Sequence, residues 1–336
     1  MSRPVTFLVD PTMVADAAGT PREVYGDLDR VVRPDLYYHY STPICAQRWL
    51  DVCDDPAYGH QALLTAVSGV VPELAAILRS GAAGRRRLAL CSLGPGDGSV
   101  DERLLLGLAP AFGEMTYTGL DFSFELLRHA VRRLATVPGL PDDLPLTAVC
   151  GDLTGVRSLP VPRDPGAVHL FALTGFTLGN YPEPALLEDI TGLMGEGDYL
   201  FLDARLHPFG LLPEDMRAFN RDRRDLLASY DLESVRRFVF GPVEVATTAV
   251  ASDVAIGFEL ARSCTAVPNA LNLVIHCVGL DATLRLTGER VRRDRLDLAV
   301  TTSYHLPDLS AWLARSGLAT VWQGRDDGVA FFLLRK

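Results

Sequence analysis

The sequence predicts an α/β protein: a doubly wound, mostly parallel sheet with an N-terminal helical cap and an inserted antiparallel α+β subdomain. Three observations predict it. Between residues 88 and 205 short apolar runs alternate with helical segments. A glycine-rich turn follows the first of those runs, and from 243 to 286 β-branched runs follow one another with no helix between them. Strands alternating with helices form right-handed βαβ units and a parallel sheet, whereas consecutive strands form an antiparallel one.

Residues 1–85 precede the first strong strand and read as the cap. Asp16 to Asp35 is loop-rich, and Gln61 to Leu78 has helical spacing at Leu63, Leu64, Val67, Val70, Val71, Leu74 and Ile77, with Pro72 expected to break or kink it. LALCSL (88–93) is a buried parallel strand, followed by a helix over Glu102 to Leu108. TYTGLD (116–121), LTAVCGD (146–152), VHLFALT (168–174) and YLFLDAR (199–205) are the next strands, with helices over Phe124 to Leu134 and Pro184 to Met194. Leu212 to Leu227 is helix-like, and VEVATTAV, IGFELARS, LNLVIHCV and ATLRL are expected strands of the insertion. Leu309 to Ser316 forms a helix closed by Gly317, and LATVWQ, the GRDDG turn and VAFFLLRK form a terminal hairpin. The expected domains are therefore 1–85, then 86–207 joined with 300–336, with 208–299 inserted.

Composition narrows the function classes. In 336 residues, 48% are hydrophobic, which supplies a core, and the net charge of −10 disfavours a nucleic-acid partner. The arginine clusters at Arg85–Arg87 and Arg290–Arg295 read as solvated strand or helix ends. Cys45, Cys53, Cys91, Cys150, Cys264 and Cys277 form no C-x-x-C pair, and the histidines repeat no ligand spacing, so reduced thiols and no metal are expected. The opening MSRPVTFLVDPTMVAD has no secretory pattern, and no run of about 18 apolar residues occurs. A cytoplasmic protein acting on a small molecule, away from membranes, is expected.

The sharpest chemical signal is Leu93-Gly94-Pro95-Gly96-Asp97-Gly98-Ser99, directly after the first strand. Glycines allow a tight turn and close approach of a ligand to the backbone, and the crevice of an open α/β sheet lies at the carboxyl ends of its strands. Asp121 ends the next strand, where a carboxylate accepts both hydroxyls of a ribose; its competing role is to cap a helix, a role for which Ser123 is also placed. Gly151-Asp152-Leu153 ends the third strand, where Asp152 either faces an adenine amino group or caps its own turn. The spacing G-x-G-x-G, with Ser99 in place of the third dinucleotide glycine, and the terminal helix plus hairpin favour a methyl donor, S-adenosylmethionine, over a nicotinamide nucleotide. Against this, Ser92 stands where an acid is common in such turns. After the fourth strand, Asn180 offers a carboxamide to a substrate or serves as a turn residue before Pro182, and His207 reads as structural.

Thr174-Gly175-Phe176-Thr177-Leu178-Gly179-Asn180 resembles a segment of the histidine-specific methyltransferase family, whose best-known members trimethylate the α-amino group of histidine. Tyr38-His39-Tyr40, Asp55-Pro56-Ala57-Tyr58, the glycine turn, Leu120-Asp121-Phe122-Ser123, Gly151-Asp152-Leu153, Ala218-Phe219-Asn220-Arg221 and Thr302-Ser303-Tyr304 resemble its other motifs in the same order. The resemblance implies a class I methyltransferase sheet, donor contacts from Gly94, Gly96, Asp121, Asp152 and Leu153, and acceptor contacts from Asn180, Gly175, Tyr40, Tyr58, Phe209 and Ser303. Two departures concern the acceptor. The family holds imidazole with a glutamate two residues before the late serine, where this chain has Thr301, and Phe209 replaces a tyrosine. An amino acid other than histidine, or an amine-bearing specialised metabolite, is the expected acceptor. Two other readings stay open at this point: a nicotinamide-dependent oxidoreductase and a noncatalytic binding protein.

Overall fold

Every apolar run between 88 and 205 lies in one sheet of the computed structural model, which describes residues 3–9, 28, 37–154 and 156–336. Its strands are β1 Val5–Val9, β2 Arg87–Leu93, β3 Glu114–Asp121, β4 Leu146–Cys150, β5 Ala167–Leu173 and β6 Tyr199–Arg205; β7 Ala255–Arg262, β8 Leu271–Thr283 and β9 Arg290–Ser303 form a second sheet, and β10 Ala319–Asp326 and β11 Val329–Arg335 complete the first. The order of the large sheet is β1-β4-β3-β2-β5-β6-β11-β10. Strands β1 to β6 pair in parallel, and β11 enters antiparallel between β6 and β10. The order reverses at β2, whose neighbours are β3 and β5, and ligands of such sheets bind at that switch point.

The helices are α1 Pro43–Asp54, α2 His60–Gly81, α3 Ser99–Leu108, α4 Phe124–Thr136, α5 Glu183–Leu193, α6 Met216–Asp222, α7 Arg224–Ser229, α8 Glu233–Val239, α9 Gly241–Ala246 and α10 Leu306–Leu313. The chain divides into two compact units, one of 1–14, 61–206 and 306–336 and one of 15–60 and 207–305. In the first, Leu88, Leu90, Tyr117, Leu170, Phe201 and Phe331 share a core with Val67, Leu74 and Leu78 of α2 and Leu127 and Leu134 of α4. The alternate strand residues Leu93, Phe171, Leu200, Leu202 and Phe332 are buried too, so the strands are apolar on both faces as a parallel sheet requires. In the second unit, α8, α9 and the three-stranded antiparallel sheet share a core through Phe238, Val243, Leu260, Leu273 and Leu298. Asn220 clips α6 to β7: its carboxamide nitrogen donates to the carbonyls of Met216 and Leu260, and its oxygen accepts the Leu260 N–H at 2.7 Å.

Several expectations change. Residues 1–85 are not one helical cap. Val5–Val9 adds an edge strand beside β4, α2 belongs to the first core, and residues 37–60 belong to the second unit. The physical reason for the first is Arg3, whose buried guanidinium donates to the carbonyls of Leu134, Ala135, Leu140 and Pro141 and anchors β1 at the end of α4. Pro72 does not break α2, because Val67 and Val71 before it and Leu74 and Leu78 after it are all buried in the same core. By length and composition α2 could cross a membrane, but its apolar stripe faces the core. The first half of VEVATTAV, expected as a strand, is the end of α9, with Pro242 in the first turn of that helix and Thr247 Oγ1 donating back to the Val243 carbonyl at 2.9 Å. The loop-rich stretch 16–35 lies outside the described residues apart from Leu28.

Candidate active site

The glycine turn is pinned to both neighbouring layers. Gly94 N–H donates to the Leu120 carbonyl at 2.8 Å, which ties the turn to the end of β3. Gly94 has φ +75°, and a β-carbon there would stand 3.7 Å from Thr177 Oγ1 and 3.8 Å from Leu153, so three strand-end loops meet at this glycine. Gly98 is needed for a second reason: with φ +77°, a β-carbon would come within 2.8 Å of the Ala130 α-carbon of α4. Asp97 completes the turn by accepting the N–H and hydroxyl of Ser99 and pairing with Arg133. The loop is preformed, with α3 starting directly behind it.

Asp121 sits beside this turn and is 6% exposed. Ser123, not Asp121, takes the capping role on α4: its hydroxyl accepts the Leu126 N–H, while Asp121 Oδ1 accepts the Ser123 N–H at 2.8 Å. Burial pushes the Asp121 carboxyl up to about 7, against the pull of the Ser123, Gly96 and Phe122 amides. The Gly96 amide and the Asp121 carboxylate thus face one another at the switch point. Asp152 is engaged in its own turn, where Oδ1 accepts both the N–H and the hydroxyl of Thr154 at 2.9 Å, and Leu153 is buried beside Gly94. The capping role weighed for Asp152 is therefore present in the fold.

Asn180 ends a 3-10 helix, Thr177–Asn180, that leaves β5 and starts from Phe176 in a left-handed conformation. Gly175, also left-handed, precedes it. The remaining expected acceptor residues fall in the second unit. There, Tyr40 and Tyr58 pack edge-on against Trp49, at 5.5 and 6.0 Å between ring centroids. Phe209 stands in a different group, stacked on His207 at 5.8 Å and edge-on to Phe219 at 4.8 Å. His207 has the structural contact expected of it, through Nε2 and the Asn269 carbonyl at 2.9 Å. Ser303 donates its hydroxyl to the Leu271 carbonyl across the β8–β9 ladder. Strand alternation puts Thr301 on the same face of β9 as Ser303, and Thr302 on the other, bonded to Asn272.

Of the buried acids that the sequence reading passed over, Asp101 and Asp203 hold groups near the strand ends. Asp101 of α3 accepts the Ser92 hydroxyl at 2.9 Å and the Tyr117 hydroxyl at 2.6 Å. The carboxylate missing at position 92 is thus supplied from the next helix, and burial pushes it up to about 7. Its signal was its place on the apolar stripe Val100, Leu104, Leu105, Leu108. Asp203 is the other, a lone acid in the apolar strand YLFLDAR. Burial pushes it up to about 6, opposed by the amides of Phe176 and Gly175 and by the charge of Arg205.

A family model described as histidine-specific, SAM-dependent methyltransferase matches residues 68–237. No curated protein sequence matches the chain. Among solved structures, it is similar to a 1,6-didemethyltoxoflavin-N1-methyltransferase of Burkholderia thailandensis, determined with 1,6-didemethyltoxoflavin and S-adenosylhomocysteine (10% identity, 90% of each chain covered, TM-score 0.42). It is also similar to the CcbJ methyltransferase of Streptomyces caelestis (13% identity, 93% of this chain and 97% of that one, TM-score 0.39). A third is a SAM-dependent methyltransferase of Methanosarcina mazei (13% identity, 74% of this chain and 92% of that one, TM-score 0.36).

Proposed function

This chain belongs to the histidine-specific, SAM-dependent methyltransferase family, and from that premise we propose that it N-methylates an amino acid or amine-bearing specialised metabolite other than free histidine. Membership makes it an enzyme that uses S-adenosylmethionine and removes the oxidoreductase reading. The observation that carries the substrate proposal is the β9 face of Thr301 and Ser303, which presents hydroxyls where the family's imidazole-binding acid would stand. A pocket without that acid loses its discrimination for an N–H donor on the ring.

In this reading Gly94 and Gly96 give the donor close access to backbone, Asp121 accepts its ribose hydroxyls, and Asp152 and Leu153 border its base. The residues fit such a ligand: a preformed left-handed turn facing a buried carboxylate at the switch point. When bound, the donor supplies a methyl group on a positively charged sulfur, already activated for displacement. The chain's task is to align the acceptor and exclude water. The Asn180 carboxamide both donates and accepts, so it can hold a neutral amine with its lone pair forward, and Gly175 leaves room beside it. The ammonium proton leaves to solvent beforehand. Tyr40, Tyr58, Phe209 and Ser303 are assigned to the acceptor by the resemblance of their motifs. Free cysteines support a cytoplasmic location.

The test is a panel of amino acids and amines, histidine included, incubated with methyl-deuterated S-adenosylmethionine and read by mass spectrometry. A labelled methyl on a non-histidine amine is the expected result. Methylation of histidine with the highest kcat/KM of the panel would overturn the substrate assignment.

A further inference from the structure

Asp203 is a buried acid to which neither donor nor acceptor binding gives a role. It is 0% exposed and lies in β6 among the buried Phe201, Leu202 and Ala204. Each of its oxygens accepts one backbone amide: Oδ2 from Gly175 at 2.9 Å and Oδ1 from Phe176 at 2.7 Å. Both of those residues are left-handed, at φ +74° and +63°. Consecutive amides in such a turn point to the same side and form a small anion-binding concavity, and here the anion is part of the chain itself.

Phe176 is the informative residue. Glycine takes positive φ freely, but a residue with a β-carbon does so against a steric cost, so something must hold this one in place. Two hydrogen bonds to a carboxylate do so at the backbone. Arg205 does so at the side chain, with its guanidinium 4.6 Å from the centre of the Phe176 ring. Asp203 and Arg205 are two residues apart on one strand and so face the same way. One grips the turn by its amides and the other by its ring.

What the grip controls follows directly along the chain. Phe176 is the N-terminal cap of the 3-10 helix Thr177–Asn180, and its carbonyl accepts the Gly179 N–H at 3.1 Å. Thr177 Oγ1 donates to the Thr174 carbonyl at 2.7 Å, which closes the turn from its other side. Three residues of this short helix separate the gripped Phe176 from Asn180 at its far end.

We propose that Asp203, assisted by Arg205, is a positioning residue that aims the Asn180 carboxamide at the methyl acceptor by clamping the Gly175–Phe176 turn. This rests on the reading that Asn180 addresses the acceptor. The donor contacts assigned above come from the ends of β2, β3 and β4, and the clamped segment approaches them at Thr177, beside Gly94, so the clamp acts mainly on methyl transfer and little on donor affinity.

The test compares wild type with Asp203→Asn, whose amide group presents a donor to one of the two N–H groups. Three quantities are read: hydrogen exchange at the Gly175 and Phe176 amides, adenosylhomocysteine affinity, and kcat with the best acceptor of the panel above. Losing a charged acceptor from two buried amides should speed exchange at both by at least ~10-fold and lower kcat by at least ~10-fold. Adenosylhomocysteine affinity should stay within about 2-fold, because no donor-side hydrogen bond is removed. Arg205→Ala, which removes the ring contact but leaves both carboxylate bonds, should lower kcat by a smaller factor in the same direction. Unchanged amide exchange, or faster exchange with unchanged kcat, overturns the proposal. Should histidine turn out to be the best acceptor, the substrate assignment fails while this comparison is simply made on histidine.

Discussion

Asp101, Asp121 and Asp203 are buried in the first unit, and each is held by hydroxyl or backbone donors. Asp281, Glu259 and Asp297 stand on the antiparallel sheet of the second unit, and each is held by arginines: Arg290 and Arg292 for the first, Arg295 for the other two. The three buried carboxyls shift up, whereas Asp281 and Glu259 on the second sheet shift down. Burial raises the carboxyls of the first set, to about 7, 7 and 6. A hydrogen bond from Arg290 lowers Asp281, and one from Arg295 lowers Glu259. A carboxylate shielded from water and given only neutral donors is costly to keep charged, so it persists where its geometry is used. A carboxylate paired with arginine in solvent costs little and gains little. These three buried acids order turns and hydroxyls inside the first unit, and the three on the second sheet are part of a solvated surface.

The largest effect on stability should come from removing the acid whose partners are two side-chain hydroxyls. Asp101→Ala leaves the Ser92 and Tyr117 hydroxyls buried without their acceptor and should cost about 2–4 kcal/mol in a denaturant titration. Asp101→Asn, which keeps one acceptor oxygen, should cost less. A loss as small as a surface substitution would remove Asp101 from the comparison.

Asp121→Ala should weaken adenosylhomocysteine binding by roughly 1–3 kcal/mol with little change in fold, as measured by calorimetric titration. The pH dependence sharpens this. The folded donor-free protein keeps the Asp121 proton up to about pH 7, whereas the unfolded chain releases it near the ordinary value of 3.8. The donor-free protein therefore binds more protons than its unfolded state between those values, and this contribution to stability is lost as pH rises through about 7. A ligand that donates two hydroxyls needs the carboxylate, so affinity should rise with pH across the same window and flatten in Asp121→Asn. An affinity independent of pH from 5.5 to 8.5 would contradict a buried ribose acceptor.

The smallest effect is expected on the second sheet. Asp281→Ala removes both arginine pairs of an exposed carboxylate and should change stability the least of the three, with the difference shrinking at high salt. A loss comparable to that of Asp101→Ala would erase the contrast between the two regions.

Much of the first unit was legible because its signals are local. An apolar run buried on both faces reads as a parallel strand wherever it occurs, and three glycines in five residues leave the chain few ways to turn after β2. Gly94, Gly96 and Asp121 could be read as strand-end groups, and the fold brings them together at the switch point. Thr301 could be read against a family motif, but its place beside Ser303 on one face needed Arg290–Ser303 to be found as a strand. VEVATTAV misled because β-branched alternation is only a propensity, and Pro242 with the buried Val243 and Ala246 drew its first half into a helix.

By itself the amino-acid order determined the strand–helix alternation, the glycine turn after β2 and the acid at the end of β3, since each depends on residues within one or two turns of chain. Only the tertiary structure decided that Arg3 adds an edge strand, that Asp101 answers Ser92 from a neighbouring helix, and that Asp203 grips a turn 27 residues before it. Those are hydrogen bonds between groups far apart in the chain, and no local pattern encodes them, because a buried donor finds its acceptor only when the sheet has set the order of its strands.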